Sequence, residues 1–175
     1  MEKATMNMIE KSIDVDVPIR VAYNQWTQFE TFPRFLEGVE RIDQPQRTLA
    51  HWVTRTGALT HEFDVEIVEQ RPDECLTWRT LTEPRHEGTV TFESLGPDRT
   101  RVSLRLDLEA GGVIEKTGSA LHLARGRVHR GMESFKEFIE GHGRETGGWR
   151  GEIRSGRVRP DPADEAPRVP TWPTG

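Results

Sequence analysis

Trp26-Thr27-Gln28-Phe29-Glu30-Thr31-Phe32-Pro33-Arg34-Phe35-Leu36-Glu37-Gly38-Val39 decides the fold of this chain. Four large rings, Trp26, Phe29, Phe32 and Phe35, crowd around one proline. Pro33 cannot sit inside a continuous helix, so the stretch predicts two short helical pieces with a corner at the proline. Just upstream, Ile19, Ala22, Tyr23 and Trp26 fall at i, i+3, i+4 and i+7 behind Pro18, which gives a short amphipathic helix with one apolar stripe. So many rings at a corner need an apolar surface to sit on.

Working outward, period-two alternation supplies that surface. Ile9, Lys11, Ile13 and Val15 alternate with Glu10, Ser12 and Asp14, predicting a first strand. After the aromatic corner come Val39 to Asp43 and Thr48 to Thr56, punctuated by Pro45 and Gly57. Phe63, Val65 and Ile67 oppose Glu62, Asp64 and Glu66; Leu76 and Trp78 oppose Thr77 and Arg79; Val90 and Phe92 oppose Thr89, Thr91 and Glu93. Turns at Arg71-Pro72-Asp73-Glu74 and Gly96-Pro97-Asp98-Arg99 separate them, and Val102, Leu104, Leu106 and Leu108 close the series. One apolar and one charged face per strand predicts an antiparallel sheet wet on its outer side.

Gly111-Gly112 ends the sheet, and a helix is expected from Val113 to Glu140. With Val128 at the centre of its wheel, Ile114, Thr117, Leu121, Ala124, Met132, Phe135 and Ile139 share the apolar face. At about 40 Å such a helix crosses a whole sheet. Beyond His142 glycine, arginine and proline accumulate. The chain therefore divides into a folded domain over residues 1–142 and an irregular, flexible tail over residues 143–175. That tail is locally basic through Arg144, Arg150, Arg154, Arg157 and Arg159, a composition open to reading as a docking arm or as a solvated linker.

The net charge of −5 is spread along the strands, which argues against a nucleic-acid or anionic-membrane partner. The single cysteine, Cys75, excludes an internal disulfide and reads as a small apolar filler. The N-terminus carries no signal-peptide pattern, and no stretch reaches the roughly 20 apolar residues of a membrane span, so a cytoplasmic location is expected.

Among chemical candidates, His61 shares the parity of Phe63 and points inward, whereas His51 lies on a strand whose facing is ambiguous. His122 and His129 flank the helix stripe, His142 sits at the helix end, and His86 falls in a loop. Arg125 lies about 60° from the centre of the apolar face, where a cation could stabilise a ligand carbonyl or enolate. No His, Asp or Glu spacing suggests a metal.

The order of elements, with Trp26, Phe32-Pro33-Arg34-Phe35-Leu36, Val39, Glu66-Ile67-Val68-Glu69-Gln70, Thr77-Trp78-Arg79 and Thr100-Arg101-Val102, resembles the polyketide cyclase/dehydrase branch of the START-like (SRPBCC) superfamily, which is related to coenzyme Q-binding proteins. Phe135 to Glu140 and Gly148-Trp149-Arg150-Gly151 resemble bacterial members of that branch. The resemblance implies an α+β helix-grip fold, β-α-α-β6-α. In it a curved seven-stranded sheet wraps the C-terminal helix around an apolar cavity. It implies a lipophilic ligand, such as a polyketide, quinone or lipid, held by Phe32, Phe35, Trp52, Phe63, Val65, Trp78, Phe92, Leu121, Ala124, Val128 and Met132. Trp26 is then core, and Phe32 and Phe35 are the lid. The branch's cyclases use a pocket arginine, whose strand position falls near Gln70 here. Arg125, His61 and His51 are the alternatives for a catalytic role. No cofactor is expected. Ligand binding, aldol cyclisation with dehydration of a poly-β-ketone, and a protein-interaction role for the tail all stand as readings.

Overall fold

The computed structural model describes residues 7–82, 85–108 and 118–161. Strand β1 (Asn7–Val15) leads through Pro18 into helix α1 (Ile19–Trp26), where the Pro18 carbonyl accepts from the N–H groups of Val21 and Ala22 at 3.0 and 3.1 Å. A 3-10 helix, Phe29–Arg34, follows. Then come β2 (Val39–Gln46), β3 (Leu49–Thr56), β4 (Leu59–Arg71), β5 (Cys75–Thr80), β6 (His86–Gly96) and β7 (Arg99–Leu108). Helix α2 (Gly118–His142) and a small hairpin, β8 (Glu152–Arg154) and β9 (Arg157–Arg159), complete the described elements.

The sheet is antiparallel and ordered β1-β7-β6-β5-β4-β3-β2. It is open and curved around α2, which makes this an α+β helix-grip fold. Met132, Phe135 and Ile139 bring the apolar stripe of α2 onto Trp26, Phe35 and the inner residues Val65, Ile67, Leu76, Val90 and Val102. Lys136 ties α2 to the end of β1, its Nζ donating to the Asp14 carbonyl and to Glu140 Oε2, both at 2.7 Å.

Several expectations are corrected. Among the described residues the sheet has nine strands rather than seven, because β8 adds to β4 through the pair Gln70 and Ile153, and β9 pairs with β8. Both come from the stretch read as an irregular tail. Trp149 and Ile153 are buried within the core cluster, so the folded unit runs past residue 142. The helical corner lies at Thr27-Gln28, not at the proline; Pro33 sits inside the 3-10 helix, a six-residue element in which its missing N–H forfeits only one i→i−3 bond. Strand β2 runs through Pro45, with register shifts on both sides of Arg41 to Asp43. Helix α2 continues to His142, whose Nδ1 bonds the Phe138 carbonyl at 2.8 Å. Val113 to Thr117 and the side chain of Leu121 lie outside the described residues.

Residues Glu145 to Arg150 form a strap across α1. Gln25, wholly buried, accepts from Thr146 N at 2.9 Å and donates to the hydroxyls of Thr146 and Thr31. Thr27 Oγ1 accepts from Trp149 N at 3.0 Å. The Arg150 guanidinium donates to Asn24 Oδ1 and Asp73 Oδ2, both at 2.8 Å, and lies 5.6 Å from the centroid of Tyr23. This explains why α1 buries its polar residues Asn24 and Gln25 along with its apolar stripe. Burial holds the Tyr23 phenol protonated far above its ordinary range.

Candidate functional site

Between the sheet, the aromatic corner and α2 lies a cavity of about 210 Å³, and sixteen of the twenty described residues that line it are apolar. The sheet supplies Ala50, Trp52 and Thr54 from β3, Phe63, Val65 and Ile67 from β4, Leu76 and Trp78 from β5, His86 from β6, and Leu104 and Leu106 from β7. Trp26, Phe29 and Phe32 close one side, Leu36, Glu37 and Val39 contribute a rim, and Arg127, Val128 and Met132 face it from α2. Phe29 and Phe32 reach it together because residues three apart eclipse in a 3-10 helix.

Aromatic contacts fix the walls. Trp52 stacks on Phe63 with centroids 5.9 Å apart, Phe32 meets Trp52 edge-on at 6.0 Å, and Phe63 meets His86 edge-on at 5.8 Å. Trp78 lies across its cross-strand partner Gly88, where a Cβ would stand only 2.1 Å from the indole ring. Its Nε1–H donates to His86 Nε2 at 3.4 Å. The neutral imidazole therefore carries its proton on Nδ1.

Burial pushes the His86 pKa from its ordinary 6.5 down to about 4. At neutral pH this group is an uncharged donor, poorly suited to hold a proton as an imidazolium. The unfolded chain binds a proton at this histidine between these two values and the folded chain does not, so stability falls as pH drops from 6.5 towards 4. The loss reaches at most about 3 kcal/mol at 1.36 kcal/mol per pKa unit. His86→Phe is expected to flatten that slope in urea unfolding across this range; parallel slopes for the two proteins would count against the assignment.

Three more polar residues border the cavity. Glu37 is exposed and accepts from Arg130 Nε at 3.1 Å, joining the rim to α2. The Arg127 head lies over the rim, its Nη1 3.7 Å from where a Cβ on Gly38 would stand. Thr54 lines the wall beside Trp52. Trp26, only 3% exposed, carries its indole Nε1 buried with no hydrogen-bond partner among the described residues.

The structure brings together Phe32, Trp52, Phe63, Val65, Trp78, Val128 and Met132 on the cavity wall. It places Phe35 elsewhere, packed under α2 against Phe135 and Phe138 at 5.3 and 5.2 Å, so Phe35 is core and not lid. Phe92 meets Tyr23 edge-on at 5.3 Å, away from the cavity, and Ala124 does not line it either. Trp26 is both core and cavity wall. His51 faces outward, where Nδ1 contacts Asp64 Oδ1 at 2.8 Å and Nε2 contacts Glu62 Oε1 at 3.1 Å, and these carboxylates raise its pKa. His61 is exposed toward the β3–β4 hairpin end, opposite Thr54, and does not line the cavity. Arg125 lies in a separate groove between α2 and β1, with His122, His129 and Arg130. Gln70 is buried beside Tyr23 rather than in the cavity.

His86 is the cavity residue that a loop reading misses; it opens β6. Its signal is parity, since His86, Gly88, Val90 and Phe92 share one face. Among the described residues no group of His, Cys, Asp or Glu could hold a metal ion, and no helix is long and apolar enough to cross a membrane.

Comparison with known proteins agrees with this architecture. The chain is 50% identical over 149 residues to a 17.2 kDa protein from the melC2-rnhH intergenic region of Streptomyces lincolnensis, spanning 85% of this chain and 99% of that relative. Its fold matches a protein of Thermus thermophilus at TM-score 0.66 and 21% identity, over 78% of this chain and 99% of the other. It matches the ZhuI aromatase/cyclase of a Streptomyces species at TM-score 0.61 and 13% identity, over 79% and 94% of the two chains. A START superfamily protein of Mycobacterium smegmatis matches at TM-score 0.61 and 14% identity, over 77% and 95%. Residues 15–139 match the family described as polyketide cyclase/dehydrase and lipid transport, and the chain belongs to that family.

Proposed function

We propose that the protein binds a small lipophilic molecule, ring-sized rather than chain-length, in the cavity between sheet and α2. The observation that carries this is the wall itself: sixteen apolar residues, six of them large aromatic rings, around about 210 Å³. Drug-sized pockets run from roughly 300 Å³ upward, so this one suits one or two fused rings or the head of a longer ligand. Met132 gives the wall an unbranched, polarisable side chain that adapts to an irregular guest. Met132→Trp, which fills the space, is expected to weaken binding of naphthalene at least about tenfold in calorimetric titration while the protein stays folded. Wild-type protein that takes up no naphthalene would sink the reading.

One observation favours a second reading, aldol cyclisation and dehydration of a poly-β-ketone. His86 presents a neutral imidazole to the cavity, with Arg127 and Glu37 at the rim. These groups can donate to a carbonyl and carry a developing charge. A reactive poly-β-ketone incubated with the protein should then change its ring pattern, and the change should vanish in His86→Phe. An unchanged product spectrum removes the enzyme reading for that substrate.

A further inference from the structure

Within the cavity reading, on which this inference rests, the charges at the mouth say what kind of group a ligand leaves there. Among the described lining residues Arg127 is the one cation and Glu37 the one carboxylate, while His86 is uncharged at neutral pH. The Arg127 head is located by Gly38: its Nη1 and Cζ lie 3.7 and 3.8 Å from where a Cβ on that residue would stand. Glu37 and Val39, on either side of Gly38, both line the cavity, so the guanidinium stands at the mouth. Gly38 has φ 87°, which side chains rarely adopt, and its bareness leaves room for the head. One turn along α2, a Cβ on Gly131 would stand 2.8 Å from Leu36 Cδ2, so helix and corner touch closely here. Glu37 accepts from Arg130 Nε at 3.1 Å, which offsets its charge. Two arginines against one glutamate leave the group with one positive charge in excess.

We propose that the ligand is an amphiphilic monoanion: its ring fills the apolar cavity, and a carboxylate left at the mouth is held by the Arg127 guanidinium. A planar carboxylate matches the guanidinium fork and takes two parallel N–H bonds from it. Five N–H donors on one head allow this alongside a contact within the protein. Arg127 is half-exposed, so water goes on solvating the anion and the cost of burying an ion against apolar walls does not arise. One negative charge suits the mouth better than two, because Glu37 repels each of them. Arg127 is thus the specificity-determining residue that separates ring carboxylates from bare hydrocarbons.

The test uses the full chain and calorimetric titration with two probes, 2-naphthoate and naphthalene. Arg127→Gln is expected to weaken naphthoate roughly fivefold relative to naphthalene, the yield of one ion pair at a half-exposed site. Arg127→Lys, which keeps the charge but not the fork, should fall between the two proteins. Raising the salt concentration should weaken naphthoate and not naphthalene in the wild type, and this difference should vanish in Arg127→Gln. Naphthalene bound without naphthoate overturns the carboxylate capture and leaves the cavity reading intact. So does a ratio of the two affinities that Arg127→Gln leaves unchanged. Failure of naphthalene to bind overturns both. If Arg127→Gln does not fold, the salt dependence of the wild-type protein decides: an effect confined to naphthoate supports the capture, and equal response of both probes overturns it.

Discussion

A chain ended after Gly143 is expected not to fold cooperatively, and Trp149→Ala in the full chain to lose about 3–5 kcal/mol. The Trp149 ring is buried against the core cluster, with the Arg47 guanidinium 4.8 Å from its centroid. Its replacement by Ala leaves a void under a strap that Gln25 and Thr27 hold in place, so the site cannot collapse to fill it. Ending the chain removes Ile153 as well, which is wholly buried. Two such losses approach the roughly 5–15 kcal/mol that separates a domain from its unfolded state. Urea unfolding followed by circular dichroism checks both. An unchanged midpoint for Trp149→Ala, or a two-state transition for the shortened chain at the wild-type midpoint, would refute the account. Deleting residues 143–175 is therefore no clean way to ask whether the tail docks a partner. Neutralising Arg154, Arg157 and Arg159, all exposed, asks that question without unfolding the protein.

Gly88→Ala is expected to cost up to about 3 kcal/mol and to abolish binding in the cavity, although Gly88 does not line it. The added methyl occupies space that the Trp78 indole fills, so the ring must leave its seat. Trp78 then gives up its bond to His86 and swings toward the open volume, which is the cavity. The double variant Gly88→Ala, Trp78→Leu identifies the mechanism. If the clash is the cause, Gly88→Ala should be nearly neutral once the indole is gone, giving a coupling of about 2 kcal/mol in the thermodynamic cycle. Additive effects would mean that Gly88 matters through backbone conformation instead.

Much of this fold can be read from residue order alone, and the failures have specific causes. Alternation in Phe63, Val65 and Ile67 and the helix stripe through Met132 place these residues inward because burial on one face imposes a period. The cavity's near neighbours are harder. His61 and Phe63 share parity, but parity gives the face and not how far a strand runs beyond its layer. Leu59, on the same face, is also exposed, at 65%. Phe35 reads as lid because spacing around Pro33 cannot tell which rings a 3-10 turn sends outward. The largest failure is the strap. Gly147 and Gly148 look like linker residues, yet a Cβ on either would stand 2.7 Å from the Gln28 or Asn24 side chain. They are small because the strap lies flat on α1, and a close approach looks the same in sequence as flexibility. The pairing of Trp78 with Gly88 is invisible for a related reason: it needs the register of two strands, which neither strand specifies alone.

The broken register of β2 bears on how this protein meets its own kind. That strand is one lateral border of the sheet, and such borders recruit foreign strands through their unpaired backbone groups. Here Pro45 removes a donor, two register shifts interrupt the ladder, and Glu40, Arg41 and Asp43 stud it with charge. The opposite border, β1, lies against α2 and carries the Lys11–Glu133 ion pair at 3.6 Å. Strand-to-strand stacking of copies, the commonest hazard of an open sheet, is thereby discouraged at the β1 and β2 margins, while the third free border, β9, is only three residues long and carries Arg157 and Arg159.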